Sequence, residues 1–182
     1  NGDKELSEAE AAFPTSFSNQ LLGDYNWNGE LDEDESYYNF KACFMNNTKI
    51  KTFDELKYFT GIRTLDRHAF SRCTNLTKMT LPENVKQISN EAFYGCDKLK
   101  TITLNDNLEL IGNGAFSFCE SLKSIVLPNS MKTIGEDAFS DSGLESITIP
   151  NSVNTIGEKA FMYCSNLISI SLPNNLKSIE SY

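Results

Sequence analysis

The sequence predicts an α+β chain in which a repeat solenoid with a period of about 23 residues follows a small helical cap. Three observations predict it. Ala-Phe pairs recur at 69–70, 92–93, 115–116, 138–139 and 160–161, at intervals of 23, 23, 23 and 22 residues. Apolar residues keep fixed columns around each pair. The excess negative charge stands ahead of the repeats, in a segment of different composition. The cap is accordingly placed at 1–45 and the solenoid at 46–182. A period in this range belongs to stacked coils, in which no unit buries its apolar face alone and each leans on its neighbours.

Within each repeat, Leu76, Leu99, Leu122, Leu144 and Leu167 open a short strand. Met79, Ile102, Ile125, Ile147 and Ile170 follow, then Leu81, Leu104, Leu127, Ile149 and Leu172, with the alternation of a half-buried strand. Pro82, Pro128, Pro150 and Pro173 end it, because proline has no N–H for the next ladder bond, and Asn105 fills that column once. A second apolar step joins Val85, Leu108, Met131, Val153 and Leu176 to Ile88, Ile111, Ile134, Ile156 and Ile179. Gly112, Gly135 and Gly157 read as turn residues that need backbone freedom. The Ala-Phe pair packs one small and one large side chain into the coil. The fourth unit is one residue short, and the Gly143 of its Ser140-Asp141-Ser142-Gly143 link suits a tightened turn. Ahead of the regular repeats, Ile50, Phe53, Leu56, Phe59, Ile62 and Leu65 read as a degenerate first coil.

Charge divides the chain. The net charge is -9, yet residues 1–35 hold ten acids and one base, leaving 25 - 10 = 15 acids and 16 - 1 = 15 bases for the rest. Neither part offers the basic face that phosphate backbones require, which argues against nucleic acid. No apolar run approaches the ~20 residues of a membrane helix. No signal peptide is present, and a chain that opens on Asn1-Gly2-Asp3 reads as a mature or trimmed form.

Four of the five cysteines, Cys73, Cys96, Cys119 and Cys164, share one column, with Ser142 in the remaining unit. Their spacing is the repeat period, three residues after the Phe, so they read as buried free thiols filling the core. A disulfide framework is the rival reading. Cys43 falls in the cap and also reads as core. The one histidine, His68, shares a column with Glu91, Gly114, Asp137 and Lys159, the variability of a solvated position. With no nucleophile–base pair and no glycine-rich phosphate loop, the chain does not read as an enzyme.

The acidic segment carries a metal-site spacing. Asp24, Asn26 and Asn28 occupy positions 1, 3 and 5 of a twelve-residue calcium loop of the EF-hand kind. Gly29 allows the turn at 6, Glu30 offers its backbone carbonyl at 7, Leu31 anchors at 8, Asp32 stands at 9 and Glu35 closes at 12. Calcium is therefore the expected ion. Pro14, Phe17, Leu21 and Leu22 suit an entering helix, and Tyr37, Tyr38, Phe40, Ala42 and Phe44 an apolar exit helix or turn over the solenoid's open end.

Phrases such as Ile134-Gly135-Glu136-Asp137-Ala138-Phe139 and Ile125-Val126-Leu127-Pro128-Asn129-Ser130 resemble the BspA-type leucine-rich repeat over roughly two thirds of the chain. The resemblance implies a curved, right-handed solenoid with strands on one face, in a cell-surface or secreted protein engaged in adhesion or host contact. Together with the calcium loop it resembles multi-part surface proteins of gut Bacteroidetes. The strand face would then present Lys78, Thr80, Thr101, Thr103, Ser124, Val126, Ser146, Thr148, Ser169 and Ser171, a mostly hydroxyl stripe suited to a protein or glycan partner. Ser and Thr also merely suit exposed strands, and a structural spacer is the alternative function, supported by a chain that stops at Ile179-Glu180-Ser181-Tyr182 where the next Ala-Phe pair should begin. The sequence stops after Ile179 without a polar cap, which leads one to expect further repeats or end-to-end self-association.

Overall fold

A computed structural model describes residues 44–54, 56, 61–174, 176, 178 and 179. The calcium loop at 24–35 lies outside these residues, as do its flanking helices apart from Phe44, and also Cys43, Phe59 and Tyr182. We number the coils by their Ala-Phe pairs, coil 1 at Ala69-Phe70 through coil 5 at Ala160-Phe161.

The core is a ladder of aromatic rings. Phe44, Phe70, Phe93, Phe116 and Phe139 are fully buried, and with Phe161 they form six rungs. Successive rings stack nearly flat, with centroids 5.0 Å (Phe44–Phe70), 5.5 Å, 5.2 Å, 5.4 Å and 5.5 Å (Phe139–Phe161) apart. The backbone sets that spacing. Phe70 N–H donates to the Ala92 carbonyl at 2.7 Å, Phe93 to Ala115 at 2.9 Å, Phe116 to Ala138 at 2.8 Å and Phe139 to Ala160 at 2.8 Å. Phe44 does the same to Ala69 at 3.1 Å. Phe44 therefore sits in a turn as the first rung of the ladder, not in an exit helix. The degenerate first coil is present as read: Ile50, Phe53, Leu56, Ile62 and Leu65 are all buried in the same core.

Each coil carries up to two short strands. In chain order these are β1 (Thr64–Leu65), β2 (Lys78–Thr80) and β3 (Gln87–Ile88), β4 (Thr101–Thr103) and β5 (Leu110–Ile111), β6 (Thr133–Ile134), β7 (Ser146–Thr148) and β8 (Thr155–Ile156), and β9 (Ser169–Ser171) and β10 (Ser178–Ile179). The second apolar step thus proves to be a strand. β1-β3-β5-β6-β8-β10 form one unbroken parallel sheet along the solenoid. The expected strand face is instead split into two pairs, β2-β4 and β7-β9, because coil 3 forms no strand there. Strands accordingly occupy two faces, not one. Among the described residues there is no α-helix.

Two residues of every coil take left-handed backbone conformations. One column is His68, Glu91, Gly114, Asp137 and Lys159, and the other Arg72, Gly95, Phe118, Asp141 and Tyr163, with φ from 50° to 66°. They turn the chain on either side of the buried Ala-Phe pair. The glycines expected to supply such freedom do something else. None of Gly112, Gly135 and Gly157 has a positive φ; a Cβ at Gly112 would lie 2.7 Å from the Asn90 amide nitrogen, and one at Gly135 2.6 Å from that of Asn113. Those glycines let adjacent coils approach. In the Pro column, Asn105 uses its side chain, donating to the Pro82 carbonyl at 2.5 Å and to that of Val85 at 2.9 Å.

Candidate binding surface

The ten residues expected on the strand face do come together. Residues 78, 101, 124, 146 and 169 form one outward row and 80, 103, 126, 148 and 171 the next, with Met79, Ile102, Ile125 and Ile147 buried between them. All ten are exposed except Thr80, which is half-buried. In coil 5 the inward residue Ile170 is itself 40% exposed, with Ile168 and Leu172 also open to solvent.

The sequence did not reveal the interruption of this face. Lys100 N–H donates to the Thr77 carbonyl at 2.9 Å and Leu81 N–H to that of Thr103 at 2.9 Å, so Thr101 and Thr103 point their backbone groups at coil 1. In a parallel ladder alternate residues face opposite ways, which turns Ile102 and Leu104 toward coil 3. The ladder lapses on both sides of coil 3, which pairs with neither β4 nor β7: the backbone N–H groups of Leu104, Ser124, Ile125, Val126 and Leu127 make no hydrogen bond among the described residues. A cleft of about 330 Å³ opens between coils 2 and 3, lined by both strand segments, Asp106 and Pro128. Val126 stands 85% exposed at its edge. The lapse adjoins the one-residue-short link of coil 4, whose Gly143 N–H is drawn onto the Cys119 carbonyl at 3.1 Å.

The one charged residue lining the cleft is Asp106, and lysines stand at the strand starts outside it. Thr52 bridges to Lys78, so Lys51, Lys100 and Lys123 share the column just before the strands, and Lys78 begins β2. All four are exposed. Among the described residues only Lys123 of these has a carboxylate partner, Glu145 at 2.7 Å, and that contact holds its ammonium above the usual lysine range.

The cysteine column is a ladder of free thiols. Cys73, Cys96, Cys119 and Cys164 each donate S–H to a Phe carbonyl of the coil before, those of Phe44, Phe70, Phe93 and Phe139, at 3.0–3.2 Å. Burial pushes the Cys73 thiol from 9.0 up to about 12, against the opposing backbone amide of Asn47. Burial raises Cys96 well above its ordinary value, and raises Cys119 as well. Cys164 departs from expectation in being half-exposed, because no described coil covers it. A thiol reagent at pH 8 should therefore label Cys164 of the native protein well ahead of Cys73, Cys96 and Cys119. Mass spectrometry of timed samples checks this, and early labelling of Cys96 would contradict it.

His68 lies half-buried with Nδ1 3.4 Å from Glu91 Oε2, and no hydrogen bond joins them. No three His, Cys, Asp or Glu side chains among the described residues form a metal-holding cluster. No described helix is long and apolar enough to cross a membrane.

A family model, BspA type leucine rich repeat region, matches residues 88–182 in six copies. The chain belongs to that family. A leucine-rich repeat protein of Bacteroides ovatus is 38% identical, with a TM-score of 0.61 over 63% of this chain and 30% of its own. The T. pallidum leucine rich repeat protein is 32% identical, with a TM-score of 0.65 over 72% of this chain and 61% of its own. A leucine rich cell surface protein of Faecalibacterium prausnitzii is 34% identical, with a TM-score of 0.60 over 67% and 32%. The chain thus spans less than two thirds of each of these leucine-rich-repeat proteins. No curated protein matches it.

Proposed function

We propose that this leucine-rich-repeat chain is a non-enzymatic extracellular module that binds another macromolecule, protein or glycan, through the strand face of coils 1–5. The observation that carries this reading is the alignment of ten outward residues, Lys78 to Ser171, in two exposed rows over a rigid stacked core. Stacked coils give a long surface in place of a pocket, the shape that suits an extended partner. The likeness to a cell surface protein of F. prausnitzii supports placement at the cell surface. A combined protein and glycan array probed with the full chain tests the reading. At least one class of ligand should be retained, whereas a chain serving only as a spacer binds nothing.

The same reading includes calcium at the N-terminal loop, with Asp24, Asn26, Asn28, Asp32 and Glu35 as side-chain ligands and Glu30 through its carbonyl. The crowding of acids at 32–35 supports it, since such charges repel one another without a cation among them. Extracellular sites of this kind bind calcium at roughly 0.1–1 mM, and an ion at about 100 times its Kd adds about 2.7 kcal/mol of stability. Calcium should raise the melting temperature of the full chain, and Glu35→Gln should abolish most of the rise. Identical melting curves in chelator and in excess calcium would remove calcium from the account.

A further inference from the structure

We propose that the hollow across coils 2 to 4, on the side of the solenoid that carries the left-handed turns, is a receptor site for an arginine side chain of a partner protein. It is a second site and does not rest on the strand-face reading above. Its shape, its aromatic rings and its charge all belong to the lining itself.

The hollow exists because the side chains at its centre are missing or short. Glu91, Gly114 and Asp137 succeed one another in one column of coils 2, 3 and 4. Their backbones are tied coil to coil, Glu91 N–H to the Asn113 carbonyl at 2.8 Å and Gly114 N–H to that of Glu136 at 2.7 Å. At the ~4.8 Å spacing of hydrogen-bonded neighbours, Glu91 and Asp137 stand about 10 Å apart at the backbone. Gly114 puts no side chain between them. Ser117 and Ser140, small and buried, continue the floor, and the space is about 380 Å³.

Aromatic rings come next. Tyr94 and Phe118 line the hollow with centroids 5.4 Å apart and planes at 65°, and Phe118 is 38% exposed. The face of such a ring attracts cations. The chain already shows this in the same row, where the Arg72 guanidinium reaches from coil 1 to lie 5.9 Å from the Tyr94 centroid. Among the described residues no cation lies over Phe118.

Charge selects the same ligand. Every charged side chain lining the hollow is a carboxylate: Glu91, Glu136 and Asp137. Glu91 meets Arg67 at 3.4 Å in a solvent-exposed pair, of the weak kind. Glu136 and Asp137 have no ion-pair partner among the described residues. The three do not gather into a metal-holding cluster. Carboxylates spread around rings suit a flat organic cation whose donors point in several directions. A guanidinium stacks on a ring while its forked N–H groups reach carboxylates at the sides, whereas a lysine ammonium is a single point charge.

The test titrates the nitrogen-15-labelled full chain with the capped peptide Gly-Ser-Arg-Ser-Gly and follows amide chemical shifts. Comparison probes are the same peptide with citrulline, which has nearly the arginine shape without its charge, the same peptide with lysine, and calcium chloride. The arginine peptide should shift the amides of Gly114, Ser117 and Phe118 saturably. The citrulline peptide should bind at least about tenfold more weakly, and the lysine peptide at least about threefold. Asp137→Asn and Phe118→Gly should each weaken the arginine peptide at least about threefold. Glycine is at ease in the left-handed backbone of residue 118, with φ 58°, so that variant removes the ring without straining the fold. No shift at these three amides, equal binding of the citrulline peptide, or full-strength binding by both variants would overturn the proposal. The same shifts from calcium at equal concentration would make the hollow a site for small cations and overturn it as well. These outcomes leave the strand face untouched, since Phe118→Gly should keep any ligand held there.

Discussion

Phe116→Ala is expected to destabilise the chain by about 3–5 kcal/mol, the cost of emptying a phenyl-sized site in a core that collapses only partly. Phe116 is fully buried, between Phe93 at 5.2 Å and Phe139 at 5.4 Å, in the middle of the aromatic ladder. A solenoid has only nearest-neighbour interfaces, so the loss falls on the two junctions that this ring makes. Hydrogen exchange should show the amides of Phe93 and Phe116, which close those junctions, losing protection before Phe44 does. Denaturant titration gives the magnitude. A change below about 1 kcal/mol would mean that the rings are not packed as a ladder.

Gly143→Ala is expected to cost about 1–3 kcal/mol, as overpacking does when the obstacle is backbone. The added Cβ would run into the Glu120 carbonyl oxygen, and the Gly143 N–H bond to Cys119 leaves the short link no room to retreat. Adding one residue between Ser142 and Gly143 restores the five-residue link of the other coils. In that background the alanine should cost much less. Equal losses in both backgrounds would show that coil spacing is not what selects glycine here.

Much of the fold was legible in the sequence because a stacked coil repeats its constraints. The Ala-Phe pairs, the inward Met79, Ile102, Ile125 and Ile147, and the Cys column each recur at one spacing, and all of these side chains but the last Cys and Phe are buried as their columns require. What escaped was whatever a single column cannot carry. The second sheet was hidden because its strands are two residues long, too short for alternation to show. The left-handed columns were hidden because most of their members are not glycine: only Gly95 and Gly114 hinted at what Phe118 and Tyr163 also do. Gly112 and Gly135 misled in the opposite sense, being required for close approach between coils and not for backbone freedom. The ten strand-face residues were found by alternation. The cleft was not, because Ser124, Ile125 and Val126 fit the strand pattern as well as their neighbours.

The most direct measurement of the central claim, that the strand face is the working surface of this leucine-rich-repeat chain, compares two double variants on the same protein and glycan array. Thr103→Arg with Ser146→Arg alters the strand face, and Thr133→Arg with Thr155→Arg alters the unbroken sheet on the other side; Thr103 and Ser146 are exposed, and Thr133 and Thr155 half-buried. Circular dichroism melts first establish that both remain folded. The account predicts that a ligand retained by the unaltered chain is lost by the first variant and kept by the second. Retention by the first with loss by the second would contradict it.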